Sequence, residues 1–285
     1  AGNLGLNSLY KASEAEPVSI YAKDYDGNGS IDPVVTRFIQ GKEYPTHYRE
    51  TITEQMVGLR RKLKRYSVYG HMTFNELFPE SERLNSIIYR STCFTSSYIE
   101  NKGNGNFRFK ALPVEAQFSP AFGLTVIDIN LDDHLDIIGV GNSYASETVT
   151  GFYDAGIGFC LYGDGVGNFK AAHSSESGFF HDKDAKALAV IRTISGKPLL
   201  LAASNQDSLL AYEQTGRSIA LTVSALDDPA FAEIVFADGR KQRHEFYYGG
   251  GYLSQGSPTI FLSPGVREVY LVNRAGERSK VFPRD

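Results

Sequence analysis

The sequence predicts a mainly β fold: part of a β-propeller that carries a helical insertion, followed by a small antiparallel β-module. Three observations predict this fold. Short apolar runs recur in a fixed order along residues 1–213, and two of the copies include a carboxylate-rich loop and a glycine-rich turn. Glycine (28 residues), Tyr (17) and Phe (18) are frequent, which favours short strands joined by tight turns. From residue 214 the repeat stops and a different alternating pattern begins.

Composition is that of an ordinary globular protein and excludes some functions. Apolar residues make up 42% and charged residues 22% of the chain, which is enough apolar material for a core. The net charge of −4 gives no basic footprint, so we expect no nucleic-acid partner. No run of about 18 apolar residues is present, so we expect no membrane-spanning helix.

Neither the cysteines nor the start of the chain fixes the cellular compartment. Cys93 and Cys160 each lie in an apolar run and are predicted to be buried thiols, with a disulfide as the alternative. The chain opens without a signal peptide and within a repeat, so we interpret it as a processed product or a fragment.

Three features recur in the same order and define the repeat. An apolar run with an acidic loop stands at 17–35 and again at 123–140. A glycine-rich turn closed by Phe follows at 101–107 and at 162–169, and is predicted to be a hairpin turn. A third copy at 187–204 keeps the apolar runs but lacks the carboxylates, so no metal is expected there.

A helical insertion at about 46–88 interrupts the first copy. Thr51–Glu54 and Thr73–Glu76 match the capping-box pattern, and apolar residues between them recur at helical spacing. Without the insertion the repeat is about 60 residues long, which suits propeller blades. Two and a half blades do not close a ring, so we expect other blades from an N-terminal part or another chain. We expect the insertion to project from one face as a candidate for partner contact.

Residues 214–285 are predicted to form a separate antiparallel β-module. Asp238-Gly239 and Asn273–Gly276 are the predicted turns between its strands. The predicted strands are 217–225, 230–237, 241–249, 267–273 and 278–282.

The first acidic loop, residues 24–32, has the spacing of a calcium site. Gly27 and Gly29 allow the sharp bend that directs its oxygens inward, and calcium prefers six to eight such hard ligands. The candidate ligands at positions 1, 3, 5, 7 and 9 are Asp24, Asp26, Asn28, Ser30 (through its carbonyl) and Asp32.

The second acidic loop, residues 128–136, repeats this spacing, so we expect two calcium ions in all. Leu131 and Asp133 replace the two glycines, and we expect this site to be weaker or more strained. His134 is expected to contribute its carbonyl, with an imidazole ligand as the alternative. The candidate ligands are Asp128, Asn130, Asp132, His134 and Asp136.

The loops are not EF-hands. An EF-hand has a bidentate Glu at position 12 and flanking helices, whereas position 12 is Val35 in one loop and Gly139 in the other, and the flanks read as strands. The alternative for each loop is a solvated Asp/Asn/Gly turn. The presence of two copies in the same repeat context favours metal binding.

The two loops and turns resemble the VCBS/FG-GAP repeat of integrin-α-like propellers. The shared pattern is D-x-D-G-N-G-x-x-D between apolar strands, followed by N-x-G-x-G-x-F. The stretch from Gly249 to Gln255, in ADGRKQRHEFYYGGGYLSQGSP, resembles the ASPIC/UnbV module of secreted bacterial proteins. The resemblance implies calcium at both loops and an extracytoplasmic location at the cell surface, in the outer membrane or in the periplasm. It implies no single activity.

No residue is predicted to be catalytic. Ser254 misses the G-x-S-x-G elbow by one residue and is interpreted as part of a packed β-turn. His71 and His181 are assigned surface or packing roles, and the basic run 60–65 is interpreted as a solvated face around Leu63.

Three function classes follow from this. We favour a binding or scaffold component of a surface or outer-membrane complex, with protein partners or glycan. The alternatives are a propeller-based hydrolase or lyase acting on glycans, and a structural accessory of a larger secreted polypeptide.

Overall fold

The computed structural model describes residues 1–147, 150–215, 219–222, 229–247, 249, 251–252, 254–256 and 258–283. The structure is 42% strand and 13% helical, with several antiparallel sheets, so the prediction of a mainly β protein is confirmed. The chain forms two compact units, which we call the smaller unit (residues 8–94) and the larger unit (residues 1–7 and 95–285). No described helix is long and apolar enough to cross a bilayer.

The smaller unit combines one antiparallel sheet with a set of short helices. Its strands and helices are β1 (Val18–Lys23), β2 (Asp32–Ile39), β3 (Lys42–Pro45), α1 (Arg49–Gln55), a 3-10 helix (Val57–Arg61), α2 (Tyr66–His71), α3 (Phe74–Leu77), α4 (Glu80–Arg83) and β4 (Ile87–Ser91).

The strand order of this sheet is β3-β2-β1-β4. Gln40 and Gly41 connect β2 to β3 with φ of 51° and 76°, the pair of positive values that a type I′ hairpin turn requires. This local hairpin places β3 beside β2. Strand β4, which follows the helices in the chain, pairs with β1. The strands that directly precede and follow the helices of the predicted insertion, β3 and β4, therefore complete the sheet that β1 and β2 of the first repeat copy begin.

The helical stretch packs on the sheet. The Phe74 ring of α3 lies 4.4 Å from the Tyr21 ring of β1, and the Phe78 ring lies 4.5 Å from that of Tyr25. The fully buried side chains of this stretch and Val34 of β2 form one core with Tyr21. The expectation that the insertion projects from one face is therefore wrong, because its apolar residues are the main cover of the sheet.

Only one of the two predicted capping boxes forms. Thr73 accepts a hydrogen bond from the Glu76 N–H, and the Glu76 carboxylate accepts one from the Thr73 N–H. Thr51 instead lies inside α1, which begins at Arg49, so that prediction is wrong. α1 ends at Gln55, and a 3-10 helix follows between the buried residues Met56 and Leu63. As predicted for the basic run, its charged residues are exposed around Leu63.

The larger unit contains the remaining strands. They are β5 (Ser97–Gly103), β6 (Asn106–Ala111), β7 (Ala121–Ile127), β8 (Asp136–Gly141), β9 (Phe159–Gly163), β10 (Phe169–Ala172), β11 (Ala185–Arg192), β12 (Pro198–Ser204), β13 (Leu210–Glu213), β14 (Ile219–Thr222), β15 (Pro229–Phe236), β16 (Lys241–Glu245), β17 (Thr259–Leu262), β18 (Val266–Asn273) and β19 (Arg278–Phe282). A 3-10 helix (Val114–Gln117) and α5 (Ser174–Ser177) complete the unit.

Two meanders of this unit pack on each other. β7, β8, β9 and β10 form a four-stranded antiparallel sheet in sequence order, and β11, β12 and β13 form a three-stranded one. Ile138 and Val140 of β8 share a core with Leu188 of β11 and Leu200 of β12. The second and third repeat copies are thus neighbouring sheets with a common hydrophobic core.

Both glycine-rich turns are hairpin turns, as predicted. Residues 104–105 join β5 to β6, and residues 164–168 join β9 to β10. β5 and β6 form a two-stranded sheet of their own, so the first copy differs from the four-stranded second copy.

The C-terminal module is a four-stranded antiparallel sheet of order β16-β15-β18-β19 beside the β14–β17 pair. Gly239 (φ 87°) and Gly276 (φ 84°) stand in its two predicted turns, which are confirmed. β17 was not predicted, and β16 ends at Glu245 rather than at residue 249. The predicted strand at 217–225 is described only over β14, since residues 216–218 and 223–228 lie outside the described ranges.

The two cysteines differ in burial. Cys160 is buried in β9, and burial raises the pKa of its thiol to about 12. Cys93 is exposed, so the prediction of a buried thiol is wrong for this residue. The short polar segment around Cys93 follows β4 and does not enter a sheet.

His181 is a buried packing residue that makes the stability of the fold depend on pH. Its ring nitrogens lie 3.1 Å from the Tyr212 hydroxyl and 2.8 Å from the Ser204 hydroxyl. Burial lowers the pKa of His181, so its folded-state pKa lies below the ordinary value of about 6.5. The unfolded chain then binds a proton more readily, and this residue destabilises the fold as the pH falls below about 6.5.

We therefore expect the free energy of unfolding to fall between about pH 7 and about pH 5.5, with a slope of up to about 1.4 kcal/mol per pH unit from this residue. Urea unfolding of the wild type and of His181→Gln across this range measures the slope. The Gln side chain keeps hydrogen-bonding groups and does not titrate, so its slope should be smaller. Equal slopes for the two proteins would contradict the prediction.

Candidate metal centres

Both acidic loops connect adjacent antiparallel strands. The first acidic loop joins β1 to β2, and the second joins β7 to β8. The flanks are strands in both cases, so the prediction that these loops are not helix-flanked EF-hands is confirmed.

In the first loop, Asp24 organises the turn through backbone hydrogen bonds. Its carboxylate accepts from the N–H groups of Gly27 (2.8 Å), Asn28 (3.1 Å) and Gly29 (2.9 Å). These bonds, led by that from Gly29, hold the pKa of Asp24 below its ordinary value. Asp32 closes the loop by accepting from the Tyr25 N–H at 2.9 Å.

The second loop reproduces this network position by position. Asp128 accepts from the N–H groups of Leu131 (2.7 Å), Asp132 (3.2 Å) and Asp133 (3.0 Å). Asp136 closes the loop by accepting from the Ile129 N–H at 2.8 Å, as Asp32 does from Tyr25. Two sequences that share only the Asp/Asn spacing therefore fold into the same turn.

The equivalence extends to backbone conformation. Gly27 and Gly29 have φ of 74° and 87°, and Leu131 and Asp133 at the same positions have φ of 63° and 68°. A non-glycine residue in this left-handed region costs about 1–2 kcal/mol. The loop therefore holds Leu131 and Asp133 in a conformation that glycine would adopt without this cost.

The first loop brings three carboxylates together. One oxygen from each of Asp24, Asp26 and Asp32 lies within 4.8 Å of the others, and among the described residues no other group of three His, Cys, Asp or Glu donors meets this limit. Asp128, Asp132 and Asp136 are thus less tightly converged, and the Asn130 side-chain amide donates to Asp132 at 2.9 Å. Like charges this close repel one another unless protons or a cation offset them.

The second loop is the more buried of the two. Asp128 is 5% exposed and Asp136 is fully buried. Burial raises the pKa of Asp128, and burial together with the charges of Asp128 and Asp132 raises that of Asp136 to about 6. A bound cation would offset this unfavourable burial of negative charge.

The donor set fits a hard cation. Its side-chain donors are carboxylate and amide oxygens, which Ca²⁺ and Mg²⁺ prefer, and sulfur and nitrogen donors are not required. The Nδ1 atom of His134 accepts a hydrogen bond from Arg240 Nη1 at 3.1 Å, which favours the His134 carbonyl over its imidazole as the ligand. Ser30 and His134 occupy equivalent places, each with its N–H bonded to the side chain two residues earlier.

Several residues around the second loop were not predicted from the sequence. Gln214, Arg240 and Gly265 all donate hydrogen bonds to it, although they lie far away along the chain. The sequence contains one sign of these contacts: Asp133 stands where the first loop has a glycine.

The other sequence candidates have structural roles. The Ser254 hydroxyl donates to the Leu188 carbonyl of β11 at 3.1 Å, and the Tyr252 ring lies 5.8 Å from that of Phe122. The described residues of this glycine-rich turn therefore pack against β11 and β7, whereas Gly250 and Leu253 lie outside the described ranges.

No protein-family model, curated protein or solved structure matches the chain. The class of site is accordingly defined by its own geometry: a nine-residue, oxygen-rich turn between antiparallel strands that occurs twice.

Proposed function

We propose that this chain is a calcium-stabilised part of a β-propeller of the VCBS/FG-GAP type with an ASPIC/UnbV-like module, acting as a binding or scaffold component of a surface complex. The observation that carries the proposal is the identity of the two acidic loops in hydrogen bonding and backbone conformation. The same turn forms from Gly27 and Gly29 in one loop and from Leu131 and Asp133 in the other, and the groups common to both are the candidate oxygen ligands.

The arrangement of sheets supports the propeller part of the proposal. Propeller blades are four-stranded antiparallel meanders packed face to face around an axis. The β7–β10 sheet has that strand order, and its apolar residues pack against those of the next meander, β11–β13.

An exposed apolar surface supports a binding role. Phe107 and Phe109 of β6 are 57% and 66% exposed, and Ile99 opposite Phe109 is 39% exposed. These three side chains lie on one face of the β5–β6 hairpin, while Tyr98 on the other face packs against Phe169. Contiguous exposed apolar groups of this kind mark interaction surfaces.

The proposed location is extracytoplasmic. Extracellular calcium modules typically bind in the range of about 10⁻⁴–10⁻³ M. The support for this location is the resemblance of both acidic loops to a repeat found in exported proteins. Protein or glycan partners at the cell surface are part of the same proposal.

Calcium binding is tested by calorimetric titration of the full chain. We expect two sites in the wild type and one in each of Asp26→Asn and Asp132→Asn, because each change leaves its loop with two carboxylates in place of three. The double variant should bind no calcium. Two sites that persist in the double variant, or no binding by the wild type, would refute the proposal.

The first loop also permits an optical test. Tyr25 lies between the candidate ligands Asp24 and Asp26, where it can sensitise the luminescence of a bound Tb³⁺ ion. We expect the emission to saturate as Tb³⁺ is added and to fall when calcium displaces the bound Tb³⁺. The Asp26→Asn variant should give no such emission. The Tyr25→Phe variant is the matched control: its emission should fall while its calcium affinity remains.

A further inference from the structure

The second acidic loop is also a junction with the C-terminal part of the chain. The loop is contacted by Gln214, which follows β13, by Arg240 in the β15–β16 turn, and by Gly265 between β17 and β18. We call the described residues of 229–283 the C-terminal module. Two of the three contacting residues belong to this module.

Asp133 makes the shortest hydrogen bond between the loop and the module. Its Oδ1 atom accepts a hydrogen bond from the Gly265 N–H at 2.8 Å. A Cβ atom at position 265 would overlap the Asp133 carboxylate, so only glycine allows this approach. The contact explains why this loop has a strained Asp in place of the glycine of the first loop.

Arg240 holds the neighbouring residues of the loop. Its Nη1 atom donates to the Asp133 carbonyl at 3.2 Å and to His134 Nδ1 at 3.1 Å. Its Nε atom donates to Asp238 at 2.6 Å, which fixes the guanidinium in position. The module therefore binds Asp133 and His134, the sixth and seventh positions of the candidate metal site.

The first position of the loop is held as well. The Gln214 amide donates to the carbonyls of Asp128 (3.0 Å) and Ile129 (2.7 Å). The module and the segment leading to it thus contact the first, second, sixth and seventh positions of the nine-residue loop.

The first acidic loop provides the internal comparison. A Cβ atom added at Gly27 or Gly29 would meet nothing within 4 Å, and residues 26–30 are exposed. The two loops share their internal geometry but differ in their surroundings. The first loop is therefore the control for effects of the module's contacts on the second loop.

We propose that cation binding at the second acidic loop is coupled to docking of the C-terminal module. This inference rests on the proposed function, since it assumes that the loop binds a cation. A cation that gathers Asp128, Asp132 and Asp136 also fixes Asp133 and His134, which are the groups that the module binds. By linkage, a docked module favours the cation-bound loop to the same extent.

Hydrogen exchange of the full chain with and without calcium tests the coupling. We expect calcium to slow exchange of the module's amides in 229–245 and 258–273 by about fivefold or more. Asp26→Asn should leave this effect intact, whereas the matched variant Asp132→Asn should remove it.

Asp133→Gly separates the junction from the metal site. It gives the second loop the residue that the first loop has at this position, keeps the left-handed backbone, and changes none of the five candidate ligand positions. We expect calcium to bind this variant while the slowing of exchange in the module is largely lost. Full slowing in Asp133→Gly would show that the Asp133–Gly265 contact does not transmit the coupling.

The two failures are distinguishable. If Asp26→Asn still takes up one calcium ion but exchange in the module does not change, the coupling is refuted and the proposed function stands. If Asp26→Asn takes up no calcium, the second loop is not a calcium site. The coupling and the proposed function are then both refuted for the second loop.

Discussion

Chelation of calcium with EDTA is expected to lower the melting temperature of both units by at least several degrees. A ligand present at ten times its Kd stabilises the folded state by about 1.4 kcal/mol, and each unit contains one acidic loop. One kcal/mol shifts the melting temperature by about 4–8 °C in a domain the size of the smaller unit and by about 2–4 °C in one the size of the larger unit. The smaller unit should therefore shift further.

Single-loop variants assign each shift to its loop. In calorimetric scans at about 1 mM calcium, Asp24→Ala should lower only the transition of the smaller unit and Asp128→Ala only that of the larger unit. Each removes a carboxylate that accepts three backbone N–H groups, so each should also destabilise the apo protein, by about 1–3 kcal/mol where the loop is buried. Superimposable scans of the wild type in calcium and in EDTA would rule out structural calcium.

Phe74→Ala is expected to destabilise the smaller unit by about 3–5 kcal/mol. Phe74 is fully buried, and its ring contacts both Tyr21 of β1 and Phe78. The substitution leaves a cavity between α3 and the sheet. Chemical denaturation followed by far-ultraviolet circular dichroism measures the loss, which should affect strand and helix signals together.

Tyr89→Ala is the control for loss of an aromatic ring. Tyr89 lies on the edge strand β4 and is 70% exposed, so its truncation should cost less than about 1 kcal/mol. If Phe74→Ala is no more destabilising than Tyr89→Ala, the helical stretch does not form a common core with the sheet.

The acidic loops could be predicted from the sequence because their structure is local. Every hydrogen bond that shapes residues 24–32 joins groups at most seven residues apart. Side chains of Asp and Asn capture nearby backbone N–H groups with little help from the rest of the fold. The hairpin turns at 238–239 and 273–276 could be predicted for the same reason.

Contacts between distant segments could not be predicted in this way. Nothing in the local pattern of 46–88 indicates that its apolar side chains cover β1 and β2, so the pattern alone predicts a projecting insertion. Likewise, Asp133 and Gly265 are separated by 132 positions, and neither neighbourhood contains a sign of the other. Periodicity reports which face of an element is apolar but not which partner buries it.

The hydrogen bonds of the first loop also affect how the polypeptide ages chemically. Asn-Gly dipeptides deamidate readily because an unhindered glycine nitrogen can attack the Asn side chain and cyclise to a succinimide. At Asn28-Gly29 that nitrogen donates to Asp24 at 2.9 Å, and the Asn28 side-chain oxygen accepts from Ser30 at 2.7 Å. Asn104-Gly105, at the exposed tip of the β5–β6 hairpin with Asn104 at φ 53°, is the less protected of the two dipeptides. Storage damage of this kind would therefore start at the hairpin, while the folded loop keeps Asn28 intact.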